Sequence, residues 1–443
     1  MSHDTLPVTA TPPDLTGDLA ADAVALASFA AAHEDVLAGV PPEPGRDPGA
    51  RQVTASSVAA VRTLRREFLA RHADAVYDTL TANRTRRVRL PELVFAAAER
   101  YPGLTPTRER LATDLARVQA ERDGLEIDQG IFCGAILRSP TAGRHLIDTM
   151  LRPTERALEL ADRFAATGLV ELASVVVERH GYGTHVTFRN ADCLNAEDNR
   201  LIGDLETAVD LALLDDRTRV GVLRGGEVDH PRYRGRRVFS AGINLKHLRD
   251  GRISFVDFLL GRELGYVHKI LRGLLTGPDH GAWTDRTVQK PWVAAVDSFA
   301  IGGGMQLLLV VDRVIAEDDA YFSLPAADEG IVPGLGNLRL TRLVGGRLAR
   351  QMILGGRRIQ ATDPQARLVC DDVVALAGMA DAIERAVREL SAPAVAANRL
   401  MLTLAEEPVD SYREYLAEFA VAQAARAYRD DVLANVERWR GEA

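Results

Sequence analysis

The chain has 443 residues, 47% apolar and 26% charged, enough to bury a sizeable core; a minimal peptide, wholesale disorder and collagen-like repeats are excluded. At roughly 100–200 residues per domain, two or three domains are expected. Acidic residues number 62 against 54 lysines and arginines, a net charge of −8, so a nucleic-acid partner is not expected; the basic cluster Arg234-Gly235-Arg236-Arg237 is short.

The opening MSHDTLPVTATPPDLTGDL has no basic region ahead of an apolar run, and no apolar stretch approaches the roughly 20 residues that span a bilayer. A cytoplasmic protein with no membrane partner is expected. From about Asp14 to Thr167 apolar residues recur at three- and four-residue spacing, as in Val58, Val61, Leu64, Phe68 and Leu69, which predicts about five to seven helices. Prolines, among them Pro44 and Pro91, punctuate this half, and Pro106-Thr107-Arg108-Glu109 and Ser139-Pro140-Thr141 read as helix starts. Near Leu169 the texture turns β-branched: Ala173–Arg179 and His185–Arg189 predict a hairpin around His180–Thr184. Strand-like runs at Arg219–Arg224, Val238–Ser240, Trp292–Val296 and Arg313–Ala316 then alternate with a long helix over about Ser254–Leu275 and another from about Gly304. Such alternation predicts an α/β core with crossover helices, and the chain reads as helical again from about Asp372.

Cys133, Cys193 and Cys370 are odd in number and widely spaced, which fits a reducing compartment and thiols that are buried or inert. His33-Glu34-Asp35 and His72-Ala73-Asp74 have a ligand-like spacing, but on a helix positions i and i+2 point in different directions, so no metal site is expected. No P-loop, HExxH, GxSxG or dinucleotide fingerprint occurs.

Two segments share a more informative design. Pro291–Leu307 runs as an apolar strand, a bend and the glycines Gly302, Gly303 and Gly304 opening a helix; Val238–His247 repeats it with a bend at Ala241 and Gly242. The first N–H groups of a helix are unpaired, and two such bends can aim two donors at one oxygen, as an oxyanion hole for an enolate requires. Either segment alone reads more readily as an ordinary strand-to-helix turn.

These segments, with NADCLNAEDN before them and FSLPAADEGIVPGLGNLRLTRLVG and GGRRIQATDPQARLVCDDVV after them, resemble the crotonase (enoyl-CoA hydratase/isomerase) superfamily in order and spacing. The resemblance implies an α/β fold with a ββα spiral core, an acyl-CoA ligand and a homo-oligomer, a trimer or dimer of trimers. With it come the expected domains: a helical 1–168, a crotonase-like core 169–390 and a helical 391–443. Carried over by position, the hole's donors fall on the N–H groups of Ile243 and Gly303, and Ala241, Gly242, Ile243, Asn244 and Leu245 line the CoA entrance, with Gly302 and Gly304 beside the acyl group. His230 and Arg232 are candidates for the CoA phosphates, though a solvated basic loop reads equally well.

Two departures from the family matter more than the matches. Hydratases carry a glutamate three residues after the hole glycine, and here that position is Gln306, which cannot act as a base; the second family glutamate is here Ala326. Glu329 lies three positions further on. Among crotonases, a helical N-terminal half joined to AGINL and GGGMQL looks like the cofactor-independent arylacetyl-CoA dioxygenases of glycopeptide-antibiotic pathways. That implies oxidation of the alpha carbon of 3,5-dihydroxyphenylacetyl-CoA by O2, with release of 3,5-dihydroxyphenylglyoxylate and CoA and with no metal or organic cofactor. Gln306, Glu197 and Arg262 are then the candidates facing the ring hydroxyls. Without the resemblance Glu197 reads as a surface glutamate and Arg262 as a salt-bridged arginine. A thioester hydrolase or isomerase of the same fold, or a non-enzymatic scaffold, remain the alternatives.

Overall fold

A computed structural model describes residues 11–41, 43, 45–277, 281 and 283–438; the first ten residues and Pro44, both read above, lie outside them. Contacts divide the chain into two units. One comprises the residues up to Thr149 with 249–251 and 413–433, and the other holds 150–248, 252–412 and the C-terminal end.

The first unit is helical. Leu19–Ala38 begins where the Asp18 side chain accepts the Ala21 N–H, and the 33-residue helix Pro48–Leu80 where Asp47 caps Ala50 and Pro48 occupies the first turn. Both expected starts appear: Thr107 caps Arg108–Leu115, and Ser139 Oγ accepts the Ala142 N–H at the head of Pro140–Met150. Val61, Leu64, Phe68 and Leu69 form one buried stripe, each at most 7% exposed. His72 Nε2 lies 2.7 Å from Asp22. Burial alone would raise that carboxyl, but bonds from His72, Thr16 and Gly17 overcome it and hold Asp22 well below its usual range.

The second unit is α/β. Its main sheet contains β1 (Leu169–Glu171), β2 (Val175–His180), β3 (Gly183–Phe188) and β4 (Val220–Gly225). A short pair follows, β5 (Leu274–Leu275) with β6 (Thr287–Val288), then β7 (Trp292–Val296), β8 (Phe299–Ile301), β9 (Arg313–Glu317), β10 (Tyr321–Ser323), β11 (Ile359–Gln360) and β12 (Asp372–Val374). The seven-stranded order is β1-β2-β3-β4-β7-β9-β12, antiparallel through β3 and parallel beyond it; β11-β10-β8 form a second sheet. The hairpin forms as expected, around a tighter turn at Gly181-Tyr182. Val220, Val222, Val293, Ala295 and Ile315 meet Ile383 and Ala386 of the helix Met379–Leu390 in one core cluster.

Five expectations are corrected. The division falls at Thr149, not 168, because the helix Glu155–Thr167 is tied to the helix Asn199–Leu214: Arg156 pairs with Asp204 at 2.7 Å and Asp210 accepts the Thr154 N–H. Nor does 391–443 stand apart, since 413–433 joins the helical unit. The long helix is instead a π-helical turn Phe255–Leu260, a single turn Gly261–Leu264, a break at Gly265 (φ −91°, ψ −118°), the helix Tyr266–Arg272 and β5. Val238–Ser240 forms no strand ladder; isolated bridges join Arg237 to Glu227 and Ser240 to Ala300. Asp372–Val374 is a strand before the chain turns helical.

Candidate active site

The two glycine-bearing segments meet beside β8. Ser240 N–H donates to Phe299 and Ser240 C=O accepts from Ile301, which lays Ala241–Ile243 alongside Ile301–Gly303. Gly242 has φ +84°, and a Cβ on it would stand 2.9 Å from the Ile301 oxygen and 3.2 Å from the Gly303 nitrogen, so both conformation and contact demand glycine.

The Ile243 bridge to Glu197 is made by its neighbours: Glu197 N–H donates to Gly242 at 2.6 Å and Asn244 N–H donates to Glu197 at 2.8 Å. The N–H of Ile243 therefore turns away from that segment. Gly303 opens the helix Gly303–Leu308, where the first N–H groups lack an intrahelical acceptor. Among the described residues neither N–H donates to the chain. Gly302 N–H is held by Ser323 and Gly304 packs on Ser240, so the three glycines are anchored on either side of the Gly303 donor. The Asn244 side chain caps His247, and Leu245 starts the helix Leu245–Arg249.

Glu197, Arg262 and Gln306 converge here. Glu197 is 2% exposed and Arg262 4%. The guanidinium spends all five of its N–H groups: Nε on Glu197 Oε2 (3.0 Å), Nη2 on Glu197 Oε1 (3.2 Å) and Gly303 O (2.8 Å), Nη1 on Glu263 Oε1 (2.6 Å) and Gln306 Oε1 (2.9 Å). This departs from one expectation, because Arg262 keeps no donor for a ring hydroxyl. Tyr266 O–H donates to Glu197 Oε1 at 2.6 Å. Burial opposes the Arg262 charge, but Glu197, Tyr266 and Glu263 outweigh it and raise its pKa; burial likewise pushes the Tyr266 phenol well up, keeping it a proton donor.

Gly303 is glycine for a second reason: a Cβ there would fall well inside contact distance of Glu197 Oε2. The carboxylate thus lies directly against the Gly303 backbone. Sequence reasoning missed Glu263 and Tyr266, whose only signal was adjacency to Arg262. His230 is not drawn in; it sits on a surface loop with its ring 5.7 Å from Tyr233 and its Nδ1 taking the Arg232 N–H. Cys193 is half-buried, not buried, and burial pushes its thiol up to about 11. Among the described residues no group of three metal-ligating side chains is found, and no helix is long and apolar enough to cross a membrane.

A model of the enoyl-CoA hydratase/isomerase family matches residues 269–422. A probable enoyl-CoA hydratase of Rhizobium meliloti (strain 1021) is 32% identical over 203 residues, covering 46% of this chain and 69% of the relative. A solved enoyl-CoA hydratase from Mycobacterium avium subsp. paratuberculosis K-10 superposes with a TM-score of 0.49 and 21% identity over 61% of this chain and 97% of the other. The chain belongs to the enoyl-CoA hydratase/isomerase, or crotonase, family. Within that family, the (3,5-dihydroxyphenyl)acetyl-CoA 1,2-dioxygenase of Amycolatopsis orientalis is 56% identical to it over 412 residues, 93% of this chain and 94% of the relative.

Proposed function

We propose that the protein is a dioxygenase that oxidises the alpha carbon of 3,5-dihydroxyphenylacetyl-CoA with O2 and cleaves the thioester, yielding 3,5-dihydroxyphenylglyoxylate and CoA. The observation that carries this reading is the 56% identity over 93% of this chain to an enzyme named for that reaction. The site chemistry agrees: Gln306 and Ala326 stand where hydration would need two carboxylates, while the two hole donors are kept.

The thioester oxygen lies between the N–H groups of Ile243 and Gly303, which carry the charge of the enolate formed when the alpha proton leaves. The acyl-CoA enters along Ala241, Gly242, Asn244 and Leu245, with Gly302 and Gly304 flanking the acyl group. Gln306 and Glu197 recognise the ring hydroxyls, and Arg262 holds both side chains in place. An enolate conjugated with an electron-rich ring gives one electron to O2, and the two radicals join at the alpha carbon. The resulting peroxide attacks the thioester carbonyl and expels CoA thiolate. Loss of the remaining alpha hydrogen as a proton breaks the O–O bond, leaving a ketone and a carboxylate. Substrate and O2 account for every atom of the 2-oxo acid and free CoA, and the substrate supplies the electrons, so the reaction runs without a metal or organic cofactor. The enzyme works in the cytoplasm as a homo-oligomer, a trimer or dimer of trimers, with neither a nucleic-acid nor a membrane partner.

The test is turnover by chelator-treated protein under mixed doubly labelled and unlabelled O2. Product molecules should carry two labels or none. Single-label scrambling, or activity lost to chelator and restored by iron or copper, would refute the mechanism.

A further inference from the structure

The Gln306 amide is oriented by its surroundings. Arginine has no acceptor, so the atom facing Arg262 Nη1 at 2.9 Å is the carbonyl oxygen, and the NH2 group points elsewhere. Among the described residues that NH2 donates to nothing, and Gln306 is half-buried. Nη1 is shared with Glu263 Oε1 at 2.6 Å, so two oxygens converge on one nitrogen.

Glu263 is held in turn. It is 2% exposed, its Oε2 takes the Leu335 N–H and stands 3.9 Å from Arg339, and its backbone oxygen accepts the Tyr412 hydroxyl at 2.7 Å. Arg339 is itself fixed by a two-pronged pair with Glu407, both bonds 2.9 Å. The third wall is Gly334, at φ +44°. A Cβ on Gly334 would collide with Glu263 Oε1 and stand 2.9 Å from Gln306 Oε1, the two atoms that share Nη1.

We propose that Glu263 and Gly334 are positioning residues that set ring specificity: they hold Arg262 Nη1 so that Gln306 turns its NH2 toward the substrate and donates to a ring hydroxyl oxygen. This rests on the proposed function for the identity of the ring. The hydratase glutamate at position 306 would present only acceptors when ionised, so the amide and the two groups behind it form one device. Neither Glu263 nor Gly334 touches the reacting atoms. Both act through the orientation of an amide that can otherwise flip.

The experiment compares wild type, Glu263→Gln, Glu263→Ala and Gly334→Ala. Anaerobic calorimetry reads binding of 3,5-dihydroxyphenylacetyl-CoA and phenylacetyl-CoA, and O2 uptake reads kcat and KM for each. Wild type should prefer the dihydroxy thioester in binding. Glu263→Ala and Gly334→Ala should cut that preference about tenfold, weakening the dihydroxy ligand while phenylacetyl-CoA changes less than threefold. Glu263→Gln keeps an acceptor of the same shape and should retain most of the preference. Unfolding midpoints serve as the folding control; if an alanine variant fails to fold, Glu263→Asp, which withdraws the carboxylate by one methylene, is read in its place and should show the same selective loss. Equal losses on both thioesters, or a wild type without ring preference, overturn the proposal. A wild type that keeps its binding preference yet consumes no O2 overturns the dioxygenase reading instead, and the binding ratios still decide the positioning role.

Discussion

Exchanging the Gly303 amide for an ester, by incorporating glycolic acid at that position, removes one N–H and adds no atom beyond the backbone. This matters because proline or alanine there would also thrust carbon into Glu197 Oε2, confounding a lost donor with a displaced carboxylate. Among the described residues neither the Ile243 nor the Gly303 N–H donates to the chain, so on the proposed reading each is available to the thioester oxygen. Loss of one such donor costs about 3–4 kcal/mol at the transition state, a fall in kcat of about 100- to 1,000-fold. The side effect is small: the ester weakens the Gly302 carbonyl, which accepts the Gln306 N–H at 3.1 Å, worth about 1 kcal/mol of stability. The same exchange at Ile243 should give a loss of similar size. O2 uptake and CoA release measure the rate, and urea unfolding checks the fold. A loss below tenfold at both positions in a folded protein would refute the two-donor hole.

Arg262→Met leaves Glu197 buried without its cation and Glu263 with Arg339 alone, at 3.9 Å, and should destabilise by about 3–5 kcal/mol in urea unfolding; adding Glu197→Gln should recover more than about 1 kcal/mol, and strictly additive losses would contradict the pairing. Burial, with Asp328 nearby, pushes the Glu329 carboxyl up to about 7. Between about pH 4.5 and 7 the folded protein keeps a proton that the unfolded chain has released, so this group's contribution falls as pH rises through that window and is level above it. Glu329→Gln should therefore gain about 1–2 kcal/mol at pH 8 relative to pH 4.5, discounted for its half-exposed position, and an unchanged pH slope in unfolding would count against the shift. Met401, Leu402 and Leu404 lie exposed on the helix Pro393–Glu406, at 63%, 58% and 39%. Light scattering should find an oligomer at micromolar concentration that Leu402→Glu weakens; a wild-type monomer would exclude the assembly.

What could be read ahead of the structure follows a physical division. The helical half, the hairpin and the glycine bends are local devices, written in apolar spacing and in residues that tolerate positive φ, and they were found where expected. Segment 254–275 was misread because its composition suits a helix throughout, whereas Gly265 breaks it: a Cβ there would meet the Gly261 oxygen at 2.7 Å. The Val238–Ser240 run has strand-like residues but pairs with β8 only through a single bridge, a matter of tertiary neighbours. Boundaries failed where a helix changes allegiance by ion pairs, as Glu155–Thr167 does. Glu263 escaped notice because an acid beside an arginine ordinarily lies in water, and only the fold reveals that both are buried.

The π-helical turn at Phe255–Leu260 carries a consequence for how this site can change. Such a turn holds one residue more than an α-helix needs to close the same hydrogen-bonded loop. The bearing of Arg262 around its axis is therefore set by a head count, since each residue advances the helix by about 100°. Relaxing that turn to α geometry at its present length would push the surplus residue past it and swing the guanidinium by about 100° away from Glu197 and Gln306, whereas deleting one residue would close the turn as α and leave Arg262 near its present bearing. The winding of this segment is thus as much a part of the site as any residue type, and a change from π to α winding can move the arginine without mutating it.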